Sequence, residues 1–201
     1  MTVTLKSSER AKLSHMLLSL SEAGAGGDRI RVVSYDPRWS SLFEAEAVRL
    51  RDALGDVAVR IEHIGSTAVP GLAAKPVIDI QISVSALEPE APYVDPLEEL
   101  GYGNWRDVHE PDHRFCRDHP RRHHIHLVVA GGVPEPDRPL LRDYLSSNYE
   151  VRQDYAELKM AAARKFGHDR ERYASAKDEF IAAALRAARD WASGTGWALR
   201  A

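Results

Sequence analysis

Cysteine is almost absent from the chain: Cys116 is the only one. No intramolecular disulfide can therefore form and no cysteine-rich zinc site can be built, and this usage fits a reducing compartment, so a cytoplasmic protein is the expectation. Long hydrophobic runs are also lacking. None approaches the roughly 20 residues needed to span a bilayer, and the patch Met16-Leu17-Leu18-Ser19-Leu20 is broken by polar residues and lacks the cleavage pattern of a secretory signal. An excess of positive charge is missing too. The 27 Lys and Arg against 30 Asp and Glu leave a formal net charge of −3, so no global basic field draws the chain to nucleic acid or to an anionic membrane.

What is present is ordinary globular composition, 44% hydrophobic and 28% charged, which excludes disordered and fibrous classes. The length suits one principal domain. Leucines at helical spacing over residues 8–22, followed by Ala23-Gly24-Ala25-Gly26-Gly27, predict an N-terminal helical extension and glycine-rich linker over 1–28, with a domain over 29–192 and a flexible tail over 193–201. Within the domain, a short β-branched run at 30–34 reads as extended, and apolar residues at three- and four-residue intervals predict a helix over 42–54, capped by Ser40 or Ser41 and stopped by Gly55. Strands are predicted at 57–64 and 77–84, the second apolar enough to be buried on both faces. A helix over 94–100 and extended runs near 114–116 and 124–129 follow. Helices over 140–147, 149–165 and 170–191, the last capped by Asp169, complete an α+β pattern with a helical C-terminal half.

The strongest local signal is Ile61-Glu62-His63-Ile64-Gly65-Ser66-Thr67, followed after a loop by Lys75-Pro76-Val77-Ile78-Asp79-Ile80-Gln81. A strand ending in Gly-Ser exposes backbone N–H groups and a hydroxyl where the chain turns, chemistry suited to a phosphate at Gly65, Ser66 and Thr67. A plain tight turn has the same local sequence. Asp79 adds a second constraint, because a carboxylate among Val77, Ile78, Ile80 and Ile82 is costly to bury unless it is paired, hydrogen-bonded or on a metal. Lys75 is one possible partner; a divalent cation bridging Asp79 to a substrate phosphate is another.

Further motifs extend the pattern: Tyr35-Asp36-Pro37-Arg38-Trp39, Val69-Pro70-Gly71-Leu72, His113-Arg114-Phe115, His123-His124-Ile125-His126-Leu127, Arg142-Asp143-Tyr144-Leu145 and Ala176-Lys177. In this order, from about Val32 to Ile181, they resemble the successive motifs of the GrpB family. The resemblance implies a nucleotidyltransferase-like mixed β-sheet flanked by helices, in which a Gly-Ser turn holds a triphosphate and acids on neighbouring strands hold magnesium. GrpB-like domains also occur fused to a dephospho-coenzyme-A kinase, although no Gly-x-x-x-x-Gly-Lys-Ser/Thr loop is found here. Carried over by position, Gly65 and Ser66 match the turn and Asp79 the first acid of an acid-apolar-acid strand. Where the second acid would stand is Gln81, at best a neutral ligand.

Histidines stand nearby. His124 and His126, two apart, face one side of a strand and His123 the other, and such a pair suits zinc or manganese better than magnesium. It also suits hydrogen bonding to Asp79 or Glu62. The expected metal set is Asp79, His124 and His126, for Mg, Mn or Zn. Of His63 and Glu62 beside the turn, alternation allows only one to face the site, and His63 shares the parity of Gly65. Among Arg114, Arg117, Arg121 and Arg122, Arg114 is the expected phosphate contact; Lys159 and Lys177, on helix faces shared with Tyr155 and Tyr173, are others, together with Lys75. Two functions fit: a metal-dependent nucleotidyl or phosphoryl transferase using Asp79 and Ser66 on a nucleotide or other phosphorylated small molecule, or a non-catalytic nucleotide- or anion-binding regulatory module.

Overall fold

The computed structural model describes residues 29–106, 112–118 and 122–199; the expected extension and linker over 1–28, and Arg121, lie outside the described residues. The described residues form two compact units, one drawn from 36–68 and 76–139, the other from 29–35, 69–75 and 140–199.

The first unit contains α1 (Arg38–Leu54), β1 (Arg60–Ile64), a 3-10 turn (Ser66–Ala68), β2 (Ile78–Val84), α2 (Ala91–Glu99), β3 (Gly103–Arg106), β4 (His113–Arg117) and β5 (His123–Val129). The strands form one mixed sheet in the order β1-β2-β5-β4-β3, with β2 and β5 parallel and the remaining pairs antiparallel. The apolar run of β2 is explained by its central place, since parallel strands are covered on both faces. Ile80, Ile82, Ile125, Leu127 and Cys116 share one face of the sheet, all 3% exposed or less. Against it pack α1, whose Phe43 ring stacks on His63 at 4.7 Å, and α2, whose Tyr93 and Leu97 border a small cavity with Cys116 and Leu127. Glu46 of α1 is buried there, accepting from the Tyr102 hydroxyl at 2.8 Å and pairing with Arg49.

Helix α1 begins at Arg38, four residues before the apolar pattern does, because Pro37 takes the cap position and the Asp36 carboxylate accepts the Arg38 N–H in place of a serine hydroxyl. The short strand β3 escaped the sequence reading. The run at 30–34 forms no strand, only a single bridge between Val33 and Ala74.

The second unit is helical: α3 (Asp137–Ser147) leads into it, followed by α4 (Tyr149–Phe166), α5 (Arg170–Ser175) and α6 (Asp178–Thr195). Its core joins Val69, Leu72, Leu140, Tyr144, Leu158 and Phe180, with Tyr155 stacked on Phe180 at 4.7 Å; burying a side chain of this size contributes about 1.5–3 kcal/mol. The helix expected over 170–191 is two helices, broken at Ala176-Lys177, where no glycine or proline marks the break. Asp169 caps α5 as expected, accepting from the Arg172 N–H at 3.0 Å. The tail expected to fray from residue 193 is instead helical to Thr195: Gly196 closes α6 in the left-handed conformation and Trp197 donates its indole N–H to Asp143 at 2.8 Å. Among the described residues no helix is long and apolar enough to cross a membrane.

Candidate functional site

The face of the sheet opposite α1 and α2 is polar, and strand register sets its order. Residues directly paired across a sheet point to the same side, so Ile64, Asp79, His124 and Arg117 form one row across β1, β2, β5 and β4. Glu62, Gln81, His126 and Phe115 form the next, and Arg60, Ser83, Val128 and His113 the third. The predicted alternation in β5 holds: His124 and His126 share this face, while His123 bonds Asp118 on its own side of the strand at 2.8 Å.

Asp79 is the centre of the arrangement. Its Oδ1 lies 3.1 Å from His124 Nδ1, a hydrogen bond, and 3.8 Å from His126 Nε2, a longer contact. Burial alone would raise its pKa, but the His124 hydrogen bond and the nearby His126 outweigh that and hold the carboxyl well below the usual carboxylate range. Burial pushes His126 below the ordinary imidazole range, with Asp79 opposing. An ionised carboxylate beside a His126 imidazole that binds protons less readily is the pattern that results.

Gly65 brings the turn to this carboxylate. Its φ of +71° favours glycine, and a Cβ there would lie 2.5 Å from Asp79 Oδ2. The 3-10 turn that follows leaves Ser66 partly exposed and sends Thr67 inward. Donor chemistry at Asp79, His124 and His126, one carboxylate and two imidazoles, suits a transition metal. As placed, the side chains bond one another, and among the described residues no group of three or more His, Cys, Asp or Glu is preassembled around a common metal position.

Several expected contacts are corrected. His63 opposes Ile80, not Asp79, so it lies on the apolar face, stacked on Phe43, with Nε2 3.1 Å from the Thr67 hydroxyl. Glu62 is the residue on Asp79's face, because the parity of the site is set by the Ile64–Asp79 pairing and not by Gly65, which lies beyond the strand. Thr67 is 2% exposed and its hydroxyl donates to the Val77 carbonyl, so it clamps the turn from inside. Arg114 points away from Asp79 and pairs with Glu90 at 2.8 Å and Glu88 at 3.1 Å; Arg117 holds the position beside His124. Gln81 shares Asp79's face, but its amide donates to the Glu135 carbonyl at 2.9 Å. Lys75, Lys159 and Lys177 belong to the helical unit. There Lys159, 2% exposed, donates to the Ala73 carbonyl, and the ammonium groups of Lys75 and Lys177 lie 5.2 and 4.7 Å from the Tyr173 ring.

Sequence reasoning missed two members of the polar face. His113 Nε2 meets His126 Nδ1 at 3.0 Å, and Glu135, 4% exposed, ion-pairs with Arg60 and accepts from the Gly131 N–H. Both depend on pairings between distant segments that no local pattern carries.

This order of strands and turn, with Asp79 against Gly65, accompanies a family match. The model of the GrpB protein family matches residues 29–187. The chain belongs to the GrpB family. A UPF0157 protein of Pseudomonas aeruginosa is 41% identical over 81% of this chain and 69% of its own length. A dephospho-CoA kinase of Mycolicibacterium paratuberculosis is 33% identical over 84% of this chain, which spans 48% of that relative. Among solved structures, the conserved protein GrpB from Enterococcus faecalis matches with a TM-score of 0.74 and 32% identity, covering 80% of this chain and 99% of that one.

Proposed function

We propose that the polar sheet face is the site of a metal-dependent nucleotidyl or phosphoryl transferase acting on a small phosphorylated molecule. The observation that carries this reading is the approach of the Gly65 turn to Asp79, 2.5 Å from an added Cβ to Oδ2, with His124 at 3.1 Å on the same carboxylate. A turn able to take phosphate and an ionised acid beside two imidazoles then occupy one corner.

In this reading Asp79, His124 and His126 hold a divalent ion, which neutralises phosphate charge and polarises the transferred group. The Gly65-Ser66 backbone and the Ser66 hydroxyl orient the phosphate. Arg117 adds a fixed positive charge in the same row. The protein's own contribution is positioning and electrostatics. The resemblance to nucleotidyltransferases and the kinase names of partial relatives agree with a phosphorylated substrate.

One observation favours a second reading, a nucleotide- or anion-binding module without turnover: Gln81 stands where a second acid would bind metal, and its amide is bonded to Glu135. The two readings separate in a thermal-shift screen against nucleotides and coenzyme-A precursors, each with and without Mg²⁺, Mn²⁺ and Zn²⁺, since a ligand of the folded state raises its stability. Hits are then assayed for product in wild type and Asp79→Asn. The transferase reading requires a metal-dependent shift and turnover lost in the variant; a shift without turnover supports the module, and turnover kept in the variant refutes the metal assignment.

A further inference from the structure

Phe115 interrupts the polar character of the sheet face. It pairs with His126 across β4 and β5, so it stands on the same side as Asp79, in the row of Glu62 and Gln81. A phenyl ring is normally drawn into the apolar core. This one is only partly buried, whereas the next residue, Cys116 on the opposite face, is 3% exposed. His124 and His126 meet the ring at 5.1 and 5.2 Å with planes at 67° and 62°. Neither histidine lies parallel to it, so the contacts orient the ring without forming a parallel stack. By register the row continues into β3 at Trp105 and so ends on two aromatic positions. Arg117, two residues along β4, shares the face and brings a planar cation suited to phosphate or to an aromatic ring.

The spacing sets the size of a ligand. The Gly65 turn reaches Asp79 on β2. From Asp79 to Phe115 is two strand spacings across the sheet and two residues along it, about 12 Å between backbones. A nucleoside di- or triphosphate has that reach, with a planar base at one end and anionic oxygens at the other; inorganic phosphate and small sugar phosphates do not. We infer that Phe115 is a base platform: the phosphorylated molecule is a nucleotide whose base stacks on Phe115 while its phosphates extend to the Gly65-Ser66 turn. The inference rests on the phosphate reading of that turn, names the substrate class, and needs no metal at Asp79. Stacking on an aromatic side chain tolerates any base, because every base has a π-face, so the platform sets the class of ligand and not the identity of the base.

The test is calorimetric titration of the intact chain, with and without Mg²⁺, using four probes. ATP and CTP carry both parts, inorganic tripolyphosphate keeps the phosphates without a base, and adenosine keeps the base without phosphate. Phe115→Leu retains apolar bulk but no aromatic face; Phe115→Tyr retains the ring. Both nucleotides should bind wild type about 10-fold or more tighter than tripolyphosphate. That advantage should vanish in Phe115→Leu, with tripolyphosphate affinity unchanged, and return in Phe115→Tyr. Equal affinity for nucleotides and tripolyphosphate in wild type overturns the inference and leaves the phosphate site standing, as does nucleotide affinity unchanged by Phe115→Leu. The reading of the turn fails separately: adenosine binding that is lost in Phe115→Leu, in a chain that takes no tripolyphosphate and binds ATP no tighter than adenosine, upholds the platform and refutes the phosphate site. Binding of none of the four refutes both.

Discussion

Replacing Gly65 with alanine tests whether the turn and Asp79 meet as described. Two separable costs follow from the geometry. A φ of +71° places alanine in the left-handed region, worth roughly 1–2 kcal/mol. The new methyl would also lie 2.5 Å from Oδ2, 3.0 Å from Cβ and 3.1 Å from Cγ of Asp79, so the carboxylate must move and its bond to His124 is lost, a further ~1.5–3 kcal/mol for a hydrogen bond to a charged group. Gly131 supplies the control, with φ +74° and nothing within 4 Å of an added Cβ, so Gly131→Ala carries the conformational cost alone. Denaturant unfolding should therefore show Gly65→Ala losing about 2.5–5 kcal/mol and Gly131→Ala about 1–2 kcal/mol. In thermal melts the first corresponds to a fall on the order of 10 °C. Equal losses in the two variants would refute the contact between turn and acid.

Other consequences are as direct. Tyr102→Phe removes a donor from the buried Glu46 carboxylate and should destabilise the protein by about 1.5–3 kcal/mol in urea unfolding; an unchanged midpoint would show that Arg49 alone satisfies Glu46. Burial pushes the Cys116 thiol up to about 12, so native protein should resist iodoacetamide at mildly alkaline pH while unfolded protein reacts, and rapid native labelling would contradict that burial. Asp79 and His126 both bind protons less readily when folded, so the metal-free protein should keep their full contribution above about pH 6.5. It should lose stability as pH falls first through the lowered His126 range and then, below about pH 4, through that of Asp79. Stability that rises on acidification would reverse the assigned directions.

How far the sequence could be read depended on the range of the interactions. Helices with regular apolar spacing, such as 149–165, were legible to within a residue, and the continuous run of β2 revealed a central strand. The His-x-His spacing placed His124 and His126 on one face because alternation is a local rule. Facing, by contrast, depends on register. Parity with Gly65 favours His63 over Glu62, but the pairing of Ile64 with Asp79 makes Glu62 the residue on the polar face. The same register exchanges Arg114 for Arg117. Lys159 and Thr67 carry groups that suit phosphate, yet each is engaged by a carbonyl brought from a distant segment, Ala73 and Val77. The His113–His126 bond joins two strands whose alignment no single segment encodes.

The most direct test of the account is calorimetric titration of zinc(II) or manganese(II) into the wild-type chain and Asp79→Asn. The Asp79-centred site predicts one metal per chain in wild type and affinity lower by about 100-fold or more in the variant, consistent with loss of a charged ligand. Equal affinity in both proteins would contradict it.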